Sequence, residues 1–219
     1  MSPCRHRLRP LRTASVAMAV ACLLPLCLSI AHADDDPAAA ERQAHAAHHA
    51  TVREGAIRRM AVDIRLPEVT LVRDDGRAAT AAEVFDDGHP VYVDFIYTTC
   101  TAICPVTSAT FAALQQALGS ERDKVRMVSI SIDPEEDTPR RLAEFRRKYG
   151  AGPQWHHYTG TAEASVAVQR AFGVFTGDKM GHTPVTMFRA APGRPWMRLD
   201  GFATPDELLH EYRATVSGR

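Results

Sequence analysis

Val91-Tyr92-Val93-Asp94-Phe95-Ile96-Tyr97-Thr98-Thr99-Cys100-Thr101-Ala102-Ile103-Cys104-Pro105 decides how the rest of the chain is read. Apart from one aspartate, its first seven residues are β-branched or aromatic, the composition and length of a central strand. The run stops at Thr98-Thr99. After Cys104, apolar residues recur at helical spacing through Val106, Ala109, Ala113, Leu114, Ala117 and Leu118 until Gly119 ends the pattern. Pro105 sits where a first-turn proline is tolerated, because the N–H it lacks would have no helical partner there. A strand therefore hands over to a helix, with two cysteines at the junction.

Working outward, residues 125–132 form a second apolar strand pattern, and Thr138-Pro139 opens a helix whose apolar face is Leu142, Phe145 and Tyr149, stopped by Gly150. A third helix is predicted over residues 161–172. Val185-Thr186-Met187-Phe188 and Trp196-Met197-Arg198-Leu199 follow as strands about a turn containing Pro192-Gly193. Thr204-Pro205-Asp206-Glu207 then starts a last helix with a threonine cap, a first-position proline and a glutamate three residues on. Upstream, residues 66–72 read as a strand entering the Asp75-Gly76 turn. His156-His157 reads as one inward and one outward histidine on a strand, in either order. This order predicts the α/β class: a thioredoxin-like fold with a mixed central sheet and helices on both faces.

The chain begins differently. Arg5, Arg7, Arg9 and Arg12 precede an uncharged run over residues 14–30, and Ala31-His32-Ala33 precedes Asp34-Asp35-Asp36. That basic, apolar, small-residue order predicts a secretory signal over residues 1–33. The run of about 17 residues is shorter than the roughly 20 a membrane span needs, and Pro25 interrupts it. Retention as an inner-membrane anchor is the alternative. Residues 34–60 are expected as a flexible His/Ala-rich segment, with His45, His48 and His49 as an accessory place for a metal ion or simply a solvated tail. Residues 61–219 are expected as the folded domain.

The full chain balances 26 Lys and Arg against 26 Asp and Glu, and the four signal arginines are its only charges before Asp34. An acidic mature chain with no clustered basic face excludes nucleic acid as a partner. No glycine-rich phosphate loop or nucleophile elbow is present. Of five cysteines, Cys4, Cys22 and Cys27 leave with the signal, so the exported chain keeps Cys100 and Cys104 alone. A disulfide closing so short a loop stabilises by about 2 kcal/mol, against about 4.7 for a 100-residue loop. Stability is a weak reason to keep the pair.

Chemistry is a stronger one. Cys100 and Cys104 are one helical turn apart, so both sulfurs can point at one spot, and a helix start favours thiolate over thiol. His182, in Lys179-Met180-Gly181-His182-Thr183-Pro184, stands just before a strand whose start lies beside the cysteine loop in a thioredoxin-like layout. Two thiolates and an imidazole suit Cu(I), and the sulfur and nitrogen mix also accepts Cu(II); Zn(II) would take the same three donors. Without metal, the dithiol reads as a periplasmic thiol-disulfide oxidoreductase in which Cys100 attacks a partner disulfide and Cys104 resolves the mixed disulfide. Asp133-Pro134-Glu135-Glu136-Asp137 reads as a turn plus helix cap.

Taken together, four ordered motifs resemble the Sco/SenC family of copper chaperones over about residues 66–212: the strand into Cys100 and Cys104-Pro105; Ser129-Ile130-Ser131-Ile132-Asp133-Pro134 with Asp137-Thr138-Pro139; Trp155 with Tyr158-Thr159-Gly160; and His182. The resemblance implies copper held by Cys100, Cys104 and His182. It also implies delivery to, or thiol reduction at, the CuA site of cytochrome c oxidase. The implied partner is the copper-site subunit of that oxidase or another periplasmic copper or thiol protein. The family commonly places an aspartate before the histidine, where this chain has Gly181.

Overall fold

The computed structural model describes residues 57–216; the secretory signal read over residues 1–33, and His45, His48 and His49, lie outside the described residues. Every residue of strand β4 (Val91–Ile96) is buried. Because side chains alternate along a strand, β4 feeds two different cores. Val91, Val93 and Phe95 pack in one, with Val128, Ile130 and Met187 of the neighbouring strands. Tyr92 packs in the other, with Met127, Trp155 and Phe188.

A strand apolar on both sides requires cover on both sides, and the helices supply it. The first core is closed by α1 (Ala81–Phe85) and α4 (Ala162–Ala171), through Val84, Phe85 and Val168. The second is closed by α2 (Ile103–Ala117) and α5 (Pro205–Val216), through Phe111, Leu114, Leu208 and Tyr212. Helix α3 (Pro139–Lys148) adds Leu142 and Phe145 to a smaller cluster with Ile96, Tyr97, Cys100 and Cys104.

The remaining strands are β1 (Arg58–Val62), β2 (Thr70–Arg73), β3 (Ala78–Thr80), β5 (Arg126–Ser131), β6 (Trp155–Thr159), β7 (Val185–Arg189) and β8 (Trp196–Asp200). They form one eight-stranded sheet in the order β1-β8-β7-β4-β5-β6-β2-β3. Strands β4, β5 and β6 are parallel, while β7 runs antiparallel to β4 and β8 antiparallel to β7. The mixed sheet with helices on both faces is the architecture the sequence predicts. Gly76, at φ 85°, supplies the left-handed residue that the β2–β3 turn requires.

Two parts of the sheet carry no sequence signal. Strand β1 starts at Arg58, three residues ahead of the domain start expected at residue 61, and pairs antiparallel with β8. Strand β3 and helix α1 are too short for periodicity to register, although Thr80 and Glu83 form a reciprocal capping box.

The central strands also carry a buried polar row. Asp94 on β4 lies in register with Thr186 on β7 and with Ser129 on β5, and Ser129 with His157 on β6. All four are buried, and alternation puts them on the face that α2 covers. Trp155 donates its indole N–H to the Ser129 hydroxyl at 2.9 Å. Burial pushes the Asp94 carboxyl up to about 7, with Ser129 opposing. Burial pushes the His157 imidazole down to about 3, with the Asp74 carboxylate opposing.

Candidate metal centre

Strand β4 ends at Ile96, and the loop that follows is tied at both ends before α2 begins. Asp137, fully buried, accepts the Thr98 N–H at 3.1 and 3.2 Å on its two oxygens, the Thr98 hydroxyl at 2.5 Å and the Ser131 hydroxyl at 2.7 Å. The Cys100 N–H donates to the Tyr97 carbonyl at 3.1 Å. The sequence read the stretch ending in Asp137 as a turn and cap. The turn is there and Thr138 is the cap, its hydroxyl accepting the Arg141 N–H at 3.3 Å, but Asp137 itself holds the cysteine loop.

Within this loop the two thiols meet. Cys104 is the second residue of α2, and its N–H donates to the Cys100 sulfur at 3.4 Å. The Tyr97 N–H donates to the Cys104 sulfur, also at 3.4 Å. Both cysteines are free.

They differ sharply in environment. At Cys100 burial raises the thiol, but the Cys104 and Ala102 N–H groups, the Cys104 thiol and the Tyr97 hydroxyl outweigh it and bring the pKa below the ordinary cysteine value. At Cys104, with no exposed surface, burial dominates and pushes the pKa far up, aided by negative charge at Cys100 and Asp94 against the Tyr97 N–H. Below both pKa values each unit of separation changes the thiolate fraction about tenfold, so iodoacetamide at neutral pH is expected to label Cys100 at least about tenfold faster than Cys104. Peptide mapping of the reduced protein by mass spectrometry checks this, and equal labelling would contradict the asymmetry.

His182 follows a 3-10 turn over Lys179–Gly181 and is 5% exposed. Its Nε2 lies 3.0 Å from the Phe95 carbonyl on β4. A carbonyl only accepts, so Nε2 carries the proton and the lone pair of the neutral ring is on Nδ1. Burial lowers the imidazole pKa, with the Phe95 carbonyl opposing, and the ring is neutral at pH 7. Metal-binding histidines are oriented in this way by a carbonyl or carboxylate on the far nitrogen. Phe95 thus supplies the orientation for which Gly181 offers no carboxylate.

The structure brings Cys100 and Cys104 together and places His182 against the strand that leads into their loop. Among the described residues, no three Cys, His, Asp or Glu side chains stand close enough to hold a metal ion at once. The soft dithiol and the neutral, oriented imidazole are donors of the kinds that suit copper. The sequence missed Tyr97, Asp137 and Met180. The Tyr97 hydroxyl lies 3.8 Å from the Met180 sulfur, and its pKa is pushed up to about 12 by burial and by the Cys100 thiolate.

A thioredoxin-like α/β domain with a free dithiol at a strand-to-helix junction and a histidine set beside that strand defines the class. The chain belongs to the SCO1/SenC family, whose profile matches residues 65–217. It is 33% identical to the SCO1 protein homolog of Bacillus subtilis over 98 residues, covering 44% of this chain and 50% of that protein. The chain thus spans about half the length of the curated relatives it matches. The structure of Bradyrhizobium japonicum ScoI with copper bound superposes with a TM-score of 0.57 at 25% identity, over 67% of this chain and 96% of that one. BsSco, a member of the Sco family of cytochrome c oxidase assembly proteins, superposes with a TM-score of 0.61 at 22% identity, over 73% and 98%.

Proposed function

We propose that this protein is an exported, periplasmic copper chaperone that holds copper through Cys100, Cys104 and His182 and delivers it to the CuA site of cytochrome c oxidase. The observation that carries the reading is the paired free thiols at the start of α2, with His182 neutral, buried and oriented by the Phe95 carbonyl. Copper bound to a family member and the oxidase-assembly role of another point the same way. Export rests on the order Arg5 to Arg12, apolar run, Ala31-His32-Ala33. No helix among the described residues is long and apolar enough to cross a membrane.

In this reading the protein supplies two soft sulfur donors at one helix start, linked through the Cys104 N–H, and an imidazole that needs no deprotonation at pH 7. Cys100, the more accessible thiol, is the sulfur through which ligand exchange with a partner's thiols begins. Anaerobic titration of the reduced mature protein, in competition with a Cu(I) chelator, should give one tight equivalent. Replacing His182 with alanine should weaken it by about 10-fold to 100-fold, the scale on which even supporting residues of a metal site act. Affinity indifferent to His182 would remove the three-donor site.

One observation favours a second reading, a periplasmic thiol-disulfide oxidoreductase: the lowered pKa of Cys100 beside the raised pKa of Cys104. The Cys100 thiolate would attack a partner disulfide, forming a mixed disulfide and releasing one partner thiolate. Cys104, losing its proton, would then attack the Cys100 sulfur, forming the intramolecular disulfide and releasing the second thiol. The partner gains two electrons and this chain loses two. Disulfide reduction that survives in His182→Ala, together with unchanged copper affinity, would make this the primary activity.

A further inference from the structure

We infer that the Met180 thioether is an additional soft donor at the mouth of the copper site, one that favours Cu(I) over Cu(II). The inference rests on the copper reading above.

Met180 is 74% exposed, the largest exposure of any large apolar side chain among the described residues, whereas Met127 and Met187 are fully buried in the cores. It stabilises no core, and its backbone is nevertheless held firmly. The Met180 N–H donates to the Asp178 carboxylate at 2.9 Å, the Gly181 N–H to the Asp178 carbonyl at 3.0 Å and the His182 N–H to the Lys179 carbonyl at 3.2 Å. Lys179 anchors the same turn to the segment after β5, pairing with Asp133 at 2.6 Å while its ammonium lies 5.8 Å from the centre of the Tyr97 ring. The turn that presents Met180 therefore also delivers His182.

Tyr97 fixes where the sulfur points. Its hydroxyl donates to the Met180 sulfur at 3.8 Å, and the same side chain packs in the cluster that contains Cys100 and Cys104. One tyrosine thus links the exposed thioether to the cluster that holds both thiols. A thioether is neutral at every pH and soft, so it adds a donor for Cu(I) without adding charge and offers little to the harder Cu(II). Two thiolates and one imidazole leave room for a fourth donor, and Met180 offers a soft one from the turn that carries His182.

Mature protein carrying selenomethionine, loaded anaerobically with one equivalent of Cu(I), tests this by X-ray absorption at the copper edge. A copper–selenium contact is expected in the wild type and should vanish in Met180→Leu, whose exposed side chain leaves the fold intact. Competition titrations should show Cu(I) affinity about tenfold lower in Met180→Leu, equivalent to about 1.4 kcal/mol, with Cu(II) affinity unchanged. Copper bound by light-atom donors and sulfur with no selenium contact would overturn the inference and leave the chaperone reading standing. An equal change in Cu(I) and Cu(II) affinity would also overturn it. Failure of the wild type to bind copper tightly would overturn both.

Discussion

Asp94→Asn is expected to stabilise the reduced protein at pH 8 by about 4 kcal/mol, and to do so progressively less as the pH is lowered toward 4. Asp94 has no exposed surface, and nothing beside it fully offsets the loss of water around a charged carboxylate. Burial consequently raises its pKa to about 7, well above the ordinary aspartate value of about 3.9. Between those values the folded chain binds a proton that the unfolded chain has lost, so stability attributable to this group falls as pH rises through the window. A difference of about three pKa units corresponds to about 4 kcal/mol at about 1.36 kcal/mol each. Asparagine keeps the shape of the neutral acid and has no proton to lose, and Ser129 and Thr186 in the same row offer hydroxyls to its amide.

His157 works in the opposite sense. With its pKa pushed down to about 3 by burial, it stays neutral in the fold while the unfolded chain takes up a proton below the ordinary histidine value. Its contribution therefore grows as pH rises from about 3 to about 6.5. Between about pH 4 and 6.5 the two slopes oppose each other, and Asp94→Asn removes the falling one. Urea denaturation at pH 5 and pH 8 under reducing conditions measures both features. A stability difference between variant and wild type that does not change with pH would show that Asp94 is ionised in the fold.

What could be read in advance depended on how far apart the interacting residues lie. The strand, the cysteine pair and the helix fit within residues 91–118, and each was legible from local composition and spacing. His182 was legible only through its address in the layout, because a histidine before a strand is unremarkable until the strand is known to lie beside β4. Strand β1 gave no signal at all: its five residues do not alternate, and Arg58 finds Asp200 across 142 positions. Asp94 looked like an interruption of an apolar strand, and its meaning appears only once Thr186, Ser129 and His157 are aligned beside it from three other strands. Met180 carried no sequence signal for a related reason, since a methionine in a loop gains significance only from the Tyr97 hydroxyl 83 positions away.

Asp137 is the most consequential residue of this kind, and Asp137→Ala is expected to cost about 3–5 kcal/mol of stability. The carboxylate accepts from the Thr98 N–H, the Thr98 hydroxyl and the Ser131 hydroxyl. Alanine leaves these three donors without an acceptor in a water-poor interior, at about 1–3 kcal/mol each before relaxation. Burial raises the Asp137 pKa, and the nearby Asp133 charge adds to it, against the pull of those three donors; a neutral acceptor can therefore replace the carboxylate better than its removal can be tolerated. Asp137→Asn, which retains a carbonyl oxygen for the Thr98 N–H, should recover at least half of the loss. The same bonds hold Thr98 two residues from Cys100, so the alanine variant should also bind Cu(I) about tenfold more weakly than wild type, the smaller end of the range for groups that support metal ligands. Chemical denaturation and chelator competition on the two variants separate the effects: a destabilised protein with wild-type copper affinity would confine Asp137 to the fold, whereas parallel recovery of both in Asp137→Asn would tie the geometry of the thiols to this one carboxylate.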